Sequence, residues 1–288
     1  MTSIICGLAA AIQWGVSTIS AAGVAGDISA RRFGFWFQAI QTLVVFVPGV
    51  VLGVTLHWGV TAVGMLVGAA VLQGSSLLSF RLSLAREQLG VVAPLIALEG
   101  PVIALLAILD GEHISPATGI GLSLAVAGGW LVGASKQTYR MSSGGAYAVV
   151  TAVLAGSALW LVARSHVEPI VALLVFNGLA IVPFVNLAAA RGALSAARLP
   201  AVRLSGLPTL RQSAWLLGAA LGSVGGQLVF ILGSRAGAGA VTGVLSAQSA
   251  VVALLGGYVV FHERMRVRQL GGFVVLMAGV SVVSVAAG

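Results

Sequence analysis

Ten stretches of about twenty apolar residues follow one another along this 288-residue chain, each long enough to cross the roughly 30 Å hydrocarbon core of a bilayer as a helix. They read as residues 4 to 24, 33 to 53, 59 to 80, 89 to 109, 114 to 134, 144 to 163, 167 to 187, 213 to 234, 238 to 261 and 269 to 287. A backbone in lipid finds no water, so every N–H and C=O must be paired within the chain, which leaves helices or a closed barrel. Barrel strands alternate polar and apolar residues, and no such alternation runs through these spans. The expected fold is an all-α integral membrane protein with ten transmembrane helices.

Composition agrees. Apolar residues make up 59% and charged residues 8% of the chain, and a mean hydropathy of +1.08 is far outside the range of water-soluble domains. The 39 glycines suit close helix contact in lipid, notably Gly121 to Gly129 and Gly271 to Gly279. The first span starts beside Met1 without a preceding basic stretch and outruns the apolar core of a cleaved signal peptide, so it reads as a retained helix. The single cysteine, Cys6, allows neither an intrachain disulfide nor a thiolate metal site.

The net charge of +8 does not point to nucleic acid, because the basic residues fall in short connections between spans rather than on one folded face. Connections after odd-numbered spans hold Arg31, Arg32, Arg81, Arg86, Lys136, Arg140, Arg191, Arg198, Arg203, Arg211, Arg264, Arg266 and Arg268; the others hold only Arg164 and Arg235, a ratio of 13 to 2. The positive-inside rule makes the first set cytoplasmic and puts both termini on the outer face of the cytoplasmic membrane.

The chain also repeats. Gly68-Ala69-Ala70, Leu78 and Phe80 recur as Gly218-Ala219-Ala220, Leu228 and Phe230 at an offset of 150; Leu8, Ala9 and Trp14 recur near 146 as Leu154, Ala155 and Trp160; Glu112, Gly121 and Gly128 recur near 151 as Glu263, Gly272 and Gly279. Five helices duplicated give two halves, 1–140 and 141–288. Five is odd, so the second half enters the membrane from the opposite side, the inverted repeat that many secondary transporters use for alternating access. These repeats, with Trp14-Gly15, Leu98-Glu99-Gly100-Pro101 and the Gly111-Glu112-His113-Ile114-Ser115 turn, resemble the ten-helix EamA branch of the drug/metabolite transporter superfamily over essentially the whole chain. The run Val91 to Asp110 is most similar to the YddG-type exporters, and that resemblance implies export of aromatic and other amino acids. Where the branch often carries an acid and a proline in the ninth helix, this chain has Ala247-Gln248-Ser249-Ala250 and so lacks a carboxylate there.

Polar side chains sit near the midpoints of many spans: Gln13, Gln38, Gln41, Gln73, Glu99, Asn177, Gln227 and Gln248. An amide in hydrocarbon without a partner costs several kcal/mol, so these should face one another or a water-filled cavity. Helical spacing places Gln13, Ser17 and Ser20 on one face, Gln73, Ser76 and Phe80 on another, and Ser223, Gln227 and Phe230 on a third. Singly, each amide is accounted for as interhelical glue worth ~0.6 kcal/mol; as a set they favour a cavity with Trp14, Phe80, Trp160, Phe176 and Phe230 as apolar walls. Trp36, Trp58 and Trp215 lie near span ends, where amphipathic rings prefer the interface. Pro94 and Pro101 remove backbone donors from the fourth span, as Pro48 and Pro183 do from the second and seventh. Glu99 is the one carboxylate at mid-membrane, where ionisation without a partner costs at least a few kcal/mol, so it reads as a functional group or as a neutral hydrogen-bonding one.

All four histidines and both aspartates lie at or beyond span ends, leaving no embedded catalytic pair or metal cluster. The absence of a mid-membrane Arg or Lys disfavours phosphate-bearing cargo. The expected protein is therefore not an enzyme, with no catalytic residue, metal or cofactor, but a monomeric secondary exporter of small neutral amphiphiles. Its partners are the lipid bilayer and a small molecule, which the resemblance implies is an amino acid, held by Gln13, Trp14, Gln73, Ser76, Phe80, Glu99, Trp160, Asn177, Gln227, Phe230 and Gln248. A multidrug exporter with Glu99 as counter-ion for cationic compounds stands second, and a membrane enzyme or non-transporting scaffold third. The topology has a direct check: a reporter active only outside the cytoplasm should work when fused after Gly288, and a cytoplasmic carboxyl terminus refutes the orientation.

Overall fold

The structure, a computed structural model, describes residues 2–52, 59–111, 115–133, 142–184, 207–236, 239–263 and 267–286. Those residues form twelve helices and no strand: α1 Thr2–Gly23, α2 Ala30–Val51, α3 Val60–Leu84, α4 Leu89–Ile96, α5 Glu99–Leu109, α6 Pro116–Gly133, α7 Ser143–Arg164, α8 Pro169–Ala180, α9 Leu210–Arg235, α10 Gly239–Ser246, α11 Ser249–Phe261 and α12 Val267–Ala286. Seven helical segments are long and apolar enough to span a bilayer, counting α4 with α5 and α10 with α11 as single segments, and three shorter apolar helices lie in Gly119–Gly128, Pro169–Phe184 and Leu270–Val282. Large apolar side chains cover the outside of the bundle, Leu109 at 76% exposure and Val259 at 66% among them, as acyl chains require and water would not tolerate. The protein is an all-helical, multi-pass membrane protein.

Several helices start where the local sequence supplies a cap. Ser29 accepts from the Arg32 amide, Ser142 from the Gly145 amide, and Thr209 with Gln212 forms a reciprocal capping box. Glu168 accepts from the Val171 amide ahead of Pro169, which fits the first turn because it has no N–H to lose. Glu263 performs this service across the chain: its carboxylate accepts from the Leu89 and Gly90 amides at 3.1 and 2.9 Å, tying the end of α11 to the start of α4.

Two spans expected to be continuous are broken. The segment 89–109 is interrupted at Ala97-Leu98 and 238–261 at Ala247-Gln248, 150 positions later, with closely similar dihedral angles at Leu98 (φ −62, ψ −10) and Gln248 (φ −62, ψ −7). Pro101 explains the first break. The Ala97 carbonyl, which an unbroken helix would pair with the amide of residue 101, accepts instead from Gly100 at 3.3 Å in a tighter turn. The second break has no proline; there the Ser246 hydroxyl donates to the Gly243 carbonyl at 2.7 Å and competes with the ladder bond. The interrupted helices cross at their breaks, where a side chain on Gly100 would meet the Gly243 carbonyl at 2.7 Å, so position 100 needs glycine.

Around this crossing α1 packs along α9, α3 along α7 and α6 along α12, while α2 lies beside α8. Arg81, read from sequence as a loop residue marking a membrane side, is instead 2% exposed within α3, which runs four residues past its expected end. Its Nη2 donates to the carbonyls of Ala25 and Ile28, both at 2.8 Å, and its guanidinium lies 4.7 Å over the Phe33 ring, pinning the α1–α2 connection. Arg211 likewise belongs to a helix, α9. His57, Trp58, Glu112, His113, Lys136, Arg140, Arg191, Arg198, Arg203, Arg264 and Arg266 lie outside the described residues.

The α6–α12 contact tests the small-residue reading. A side chain at Gly128 would meet the Gly272 carbonyl at 2.7 Å, and one at Gly279 the Gly121 carbonyl at 2.5 Å, whereas Gly271 faces open space. Gly128→Val should therefore destabilise the protein by about 1–3 kcal/mol, as overpacking does, and Gly271→Val should leave thermal unfolding in detergent unchanged. Equal melting temperatures for the two variants would remove the packing role of Gly128.

Candidate functional site

A cavity of about 110 Å³ lies in the middle of the bundle beside the break that begins α5. Trp14, Ser17 and Thr18 reach it from α1, Gln73, Ser76 and Phe80 from α3, Thr151 from α7, Ser223 and Gln227 from α9; Glu99 and Ser249, the first residues of α5 and α11, complete its polar wall. Two larger grooves, about 770 Å³ between α5, α6 and α7 and about 460 Å³ beside Gln88 and Tyr258, are lined mainly by apolar residues, and Leu105, Val126, Leu255 and Tyr258 on their walls are exposed as acyl chains would cover them.

Glu99 is 7% exposed, and among the described residues no hydrogen bond or ion pair engages its carboxyl. The hydroxyls nearby are already committed as donors. Ser17 donates to the Ala219 carbonyl at 2.7 Å, Thr18 to Trp14 at 2.8 Å, Ser76 to Thr151 at 3.3 Å and Thr151 to Tyr147 at 2.8 Å. What these hydroxyls keep for the cavity is oxygen lone pairs. With the Glu99 carboxyl they make a wall rich in acceptors, complementary to an ammonium. Gln73 and Ser249 make no hydrogen bond among the described residues and are the donors left facing the cavity.

Behind this wall runs a buried amide network. Asn177 donates to Gln227 at 3.0 Å, Gln227 to Gln41 at 3.4 Å and to Ser223 at 3.3 Å, and Gln41 to Gln38 at 3.0 Å, so α2, α8 and α9 are joined through polar atoms that lipid could not satisfy. Trp14 donates through Nε1 to the Ser223 carbonyl at 3.3 Å and rests against Phe230 with ring centroids 5.7 Å apart.

Of the residues singled out from sequence, the structure brings Trp14, Gln73, Ser76, Phe80, Glu99 and Gln227 to one cavity. Asn177 supports Gln227 from behind. Gln13 does not line the cavity; it lies against α9, where Gly222 and Gly225 leave it room, and the face it shares with Ser17 and Ser20 is largely a helix contact. Gln248 is the residue preceding α11 and is not part of the lining, while Trp160 and Phe230 line a different cavity toward one end of the bundle. Thr18, Thr151 and Ser249 escaped the sequence reading. Only Ser249 had a signal, its offset of 150 from Glu99.

No family model and no curated protein matches this sequence. A solved structure described as "Crystal structure of protein" superposes with a TM-score of 0.69 over 99% of this chain and 97% of that chain at 19% identity. The two share a fold along nearly their full lengths.

The amide network gives a clean contrast. Gln227→Leu strands the Asn177 amide and should cost about 1–3 kcal/mol of stability, the penalty of an unsatisfied buried polar group, whereas Gln73→Leu breaks no internal bond and should be near neutral in the same detergent unfolding assay. Equal destabilisation by the two would show that the network does not hold the bundle.

Proposed function

We propose that this chain is a secondary transporter that exports small, overall neutral amphiphiles carrying an ammonium group, amino acids foremost, across the cytoplasmic membrane by alternating access. One observation carries the reading: a deeply buried carboxyl, Glu99, opens unpartnered onto an acceptor-lined cavity at the meeting point of two interrupted helices. An unpaired carboxyl at that depth costs free energy that folding alone has no reason to retain, and a cargo ammonium would offset the cost. Interrupted helices at a central site are the recurrent device of secondary transporters, where they expose backbone polar groups only to a cavity.

Ten membrane passes arranged as two inverted five-helix halves, 1–140 and 141–288, account for the arrangement. The breaks at 97–98 and 247–248 share the 150-residue offset of Gly68-Ala69-Ala70 and Gly218-Ala219-Ala220. Exchanging the halves turns the α1–α9 contact into α7–α3, and the α3–α8 contact into α9–α2, and each member of these pairs is present. Rocking one half against the other would expose Glu99 to each side in turn. The resemblance to EamA-type exporters of the YddG kind points to the same cargo class.

The acceptor-rich wall also suits cationic drugs, the second reading. Against it stands the cavity's size, about 110 Å³, well below the roughly 300 Å³ at which sites for drug-sized ligands begin. Counterflow into proteoliposomes of labelled alanine, tryptophan and tetraphenylphosphonium separates the cases. Exchange of the amino acids is expected, with at least a ten-fold loss in Glu99→Gln while that variant remains monodisperse. Exchange of tetraphenylphosphonium alone selects the multidrug reading, and full amino-acid exchange by Glu99→Gln with unchanged pH dependence rejects the role given to the carboxyl.

A further inference from the structure

Beyond Trp14 and Phe230 lies a second cavity, of about 320 Å³, at the end of the bundle where α9 finishes. Trp14 lines the central cavity and Phe230 the second, so this tilted ring pair stands between them. The polar part of this second cavity comes from Asp110, Arg164, Ser234 and Arg235. Asp110 and Arg164 form an ion pair and neutralise one another. Arg235 is different: among the described residues its Nε and Nη2 are buried with no hydrogen-bond acceptor, and so is the Ser234 hydroxyl beside it. Glu168 acts on Arg235 electrostatically, but its carboxylate accepts from the Val171 amide at 3.0 Å as the cap of α8.

Nε–H and the neighbouring Nη2–H form the side edge of a guanidinium, the pair of parallel donors that grips a carboxylate. Trp160 and Phe230 supply an apolar wall in the same cavity. We infer that this cavity is an outer subsite for an apolar acid, whose carboxylate is held by the side edge of Arg235 with Ser234 and whose apolar part rests on Trp160 and Phe230. The inference rests on the amino-acid reading only for the shape of the cargo. Helix α5 joins the two places, with Glu99 at its start on the central cavity and Ile103, Ala107 and Asp110 on the outer one, about 16 Å apart end to end at 1.5 Å rise per residue. A zwitterion passing from one place to the other would thus meet an acceptor for its ammonium at the start of α5 and, separately, a donor pair for its carboxylate at the end.

The test uses the full chain in detergent with Cys6→Ala, since Cys6 is its one cysteine, and Ala163→Cys as the probed position, which lines the same cavity and has no part in holding the acid. The rate of modification by a membrane-impermeant thiosulfonate is measured with and without indole-3-propionate, tryptamine or inorganic phosphate. Indole-3-propionate should slow modification at least five-fold, tryptamine and phosphate should not, Arg235→Gln should abolish the protection, and Arg235→Lys, which keeps the charge without the fork, should at least halve it. Equal protection by tryptamine or phosphate, no protection at all, or full protection in either Arg235 variant overturns the subsite. Tryptophan exchange in proteoliposomes, run in parallel, keeps the two claims apart: exchange without protection overturns the subsite alone, and Arg235-dependent protection without exchange overturns the amino-acid reading alone.

Discussion

Backbone against backbone, Gly100 of α5 meets the carbonyl of Gly243 in α10, and a Cβ at Gly100 would also lie 3.0 Å from the Ala247 Cβ. In lipid no hydrophobic force drives helices together, so the bundle depends on such approaches, where dispersion and dipole contacts become possible because side chains are absent. The contact sits beside the two breaks. Each interrupted helix therefore behaves as two short rods meeting at the crossing, and the first residues of the second rods, Glu99 and Ser249, are delivered together to the cavity wall.

The polar atoms divide into two groups with different work. The amides of Gln41, Asn177 and Gln227 spend their hydrogen bonds on one another and tie α2, α8 and α9. The hydroxyls of Ser17, Thr18, Ser76 and Thr151 spend their protons on backbone carbonyls and face the cavity as acceptors. A wall built this way is selective by default, because a carboxylate arriving there meets lone pairs and Glu99, while an ammonium meets partners.

Glu99, Gln73 and Gln227 were legible in sequence because an ionisable or amide group inside an apolar span is rare and costly. Thr18, Thr151 and Ser249 were not, since a hydroxyl in a membrane helix can always bond its own backbone and so carries no warning of what it faces. Gln13 and Gln73 look alike in sequence, yet one packs on the glycines of α9 and the other lines the cavity; what separates them is the neighbouring helix, which no local pattern encodes. The break at Ala97-Leu98 was foreshadowed by Pro101, whereas the one at Ala247-Gln248 has no proline, and a serine such as Ser246 that bonds its own backbone occurs in unbroken helices as well, as at Ser75 and Ser123. Arg81 misled because a long cationic side chain can turn inward to cap a neighbouring connection as readily as it reaches for water.

Size and charge together bear on how cargo would move in the proposed transport cycle. The central cavity, about 110 Å³, is smaller than the outer one, about 320 Å³, and the tilted Trp14–Phe230 pair stands between them. Trp14 is held by its bond to the Ser223 carbonyl, and Ser223 belongs to the amide network that joins α2, α8 and α9. Opening the aromatic partition therefore costs the Trp14 bond to α9 as well as the ring contact, the latter alone worth about 0.5–1.5 kcal/mol. Under the proposed transport role, a cargo bringing its own ammonium to Glu99 would give back part of that cost at the moment of opening. Binding and gating would then draw on the same few residues, which is what coupling between an occupied site and a moving helix requires in free-energy terms.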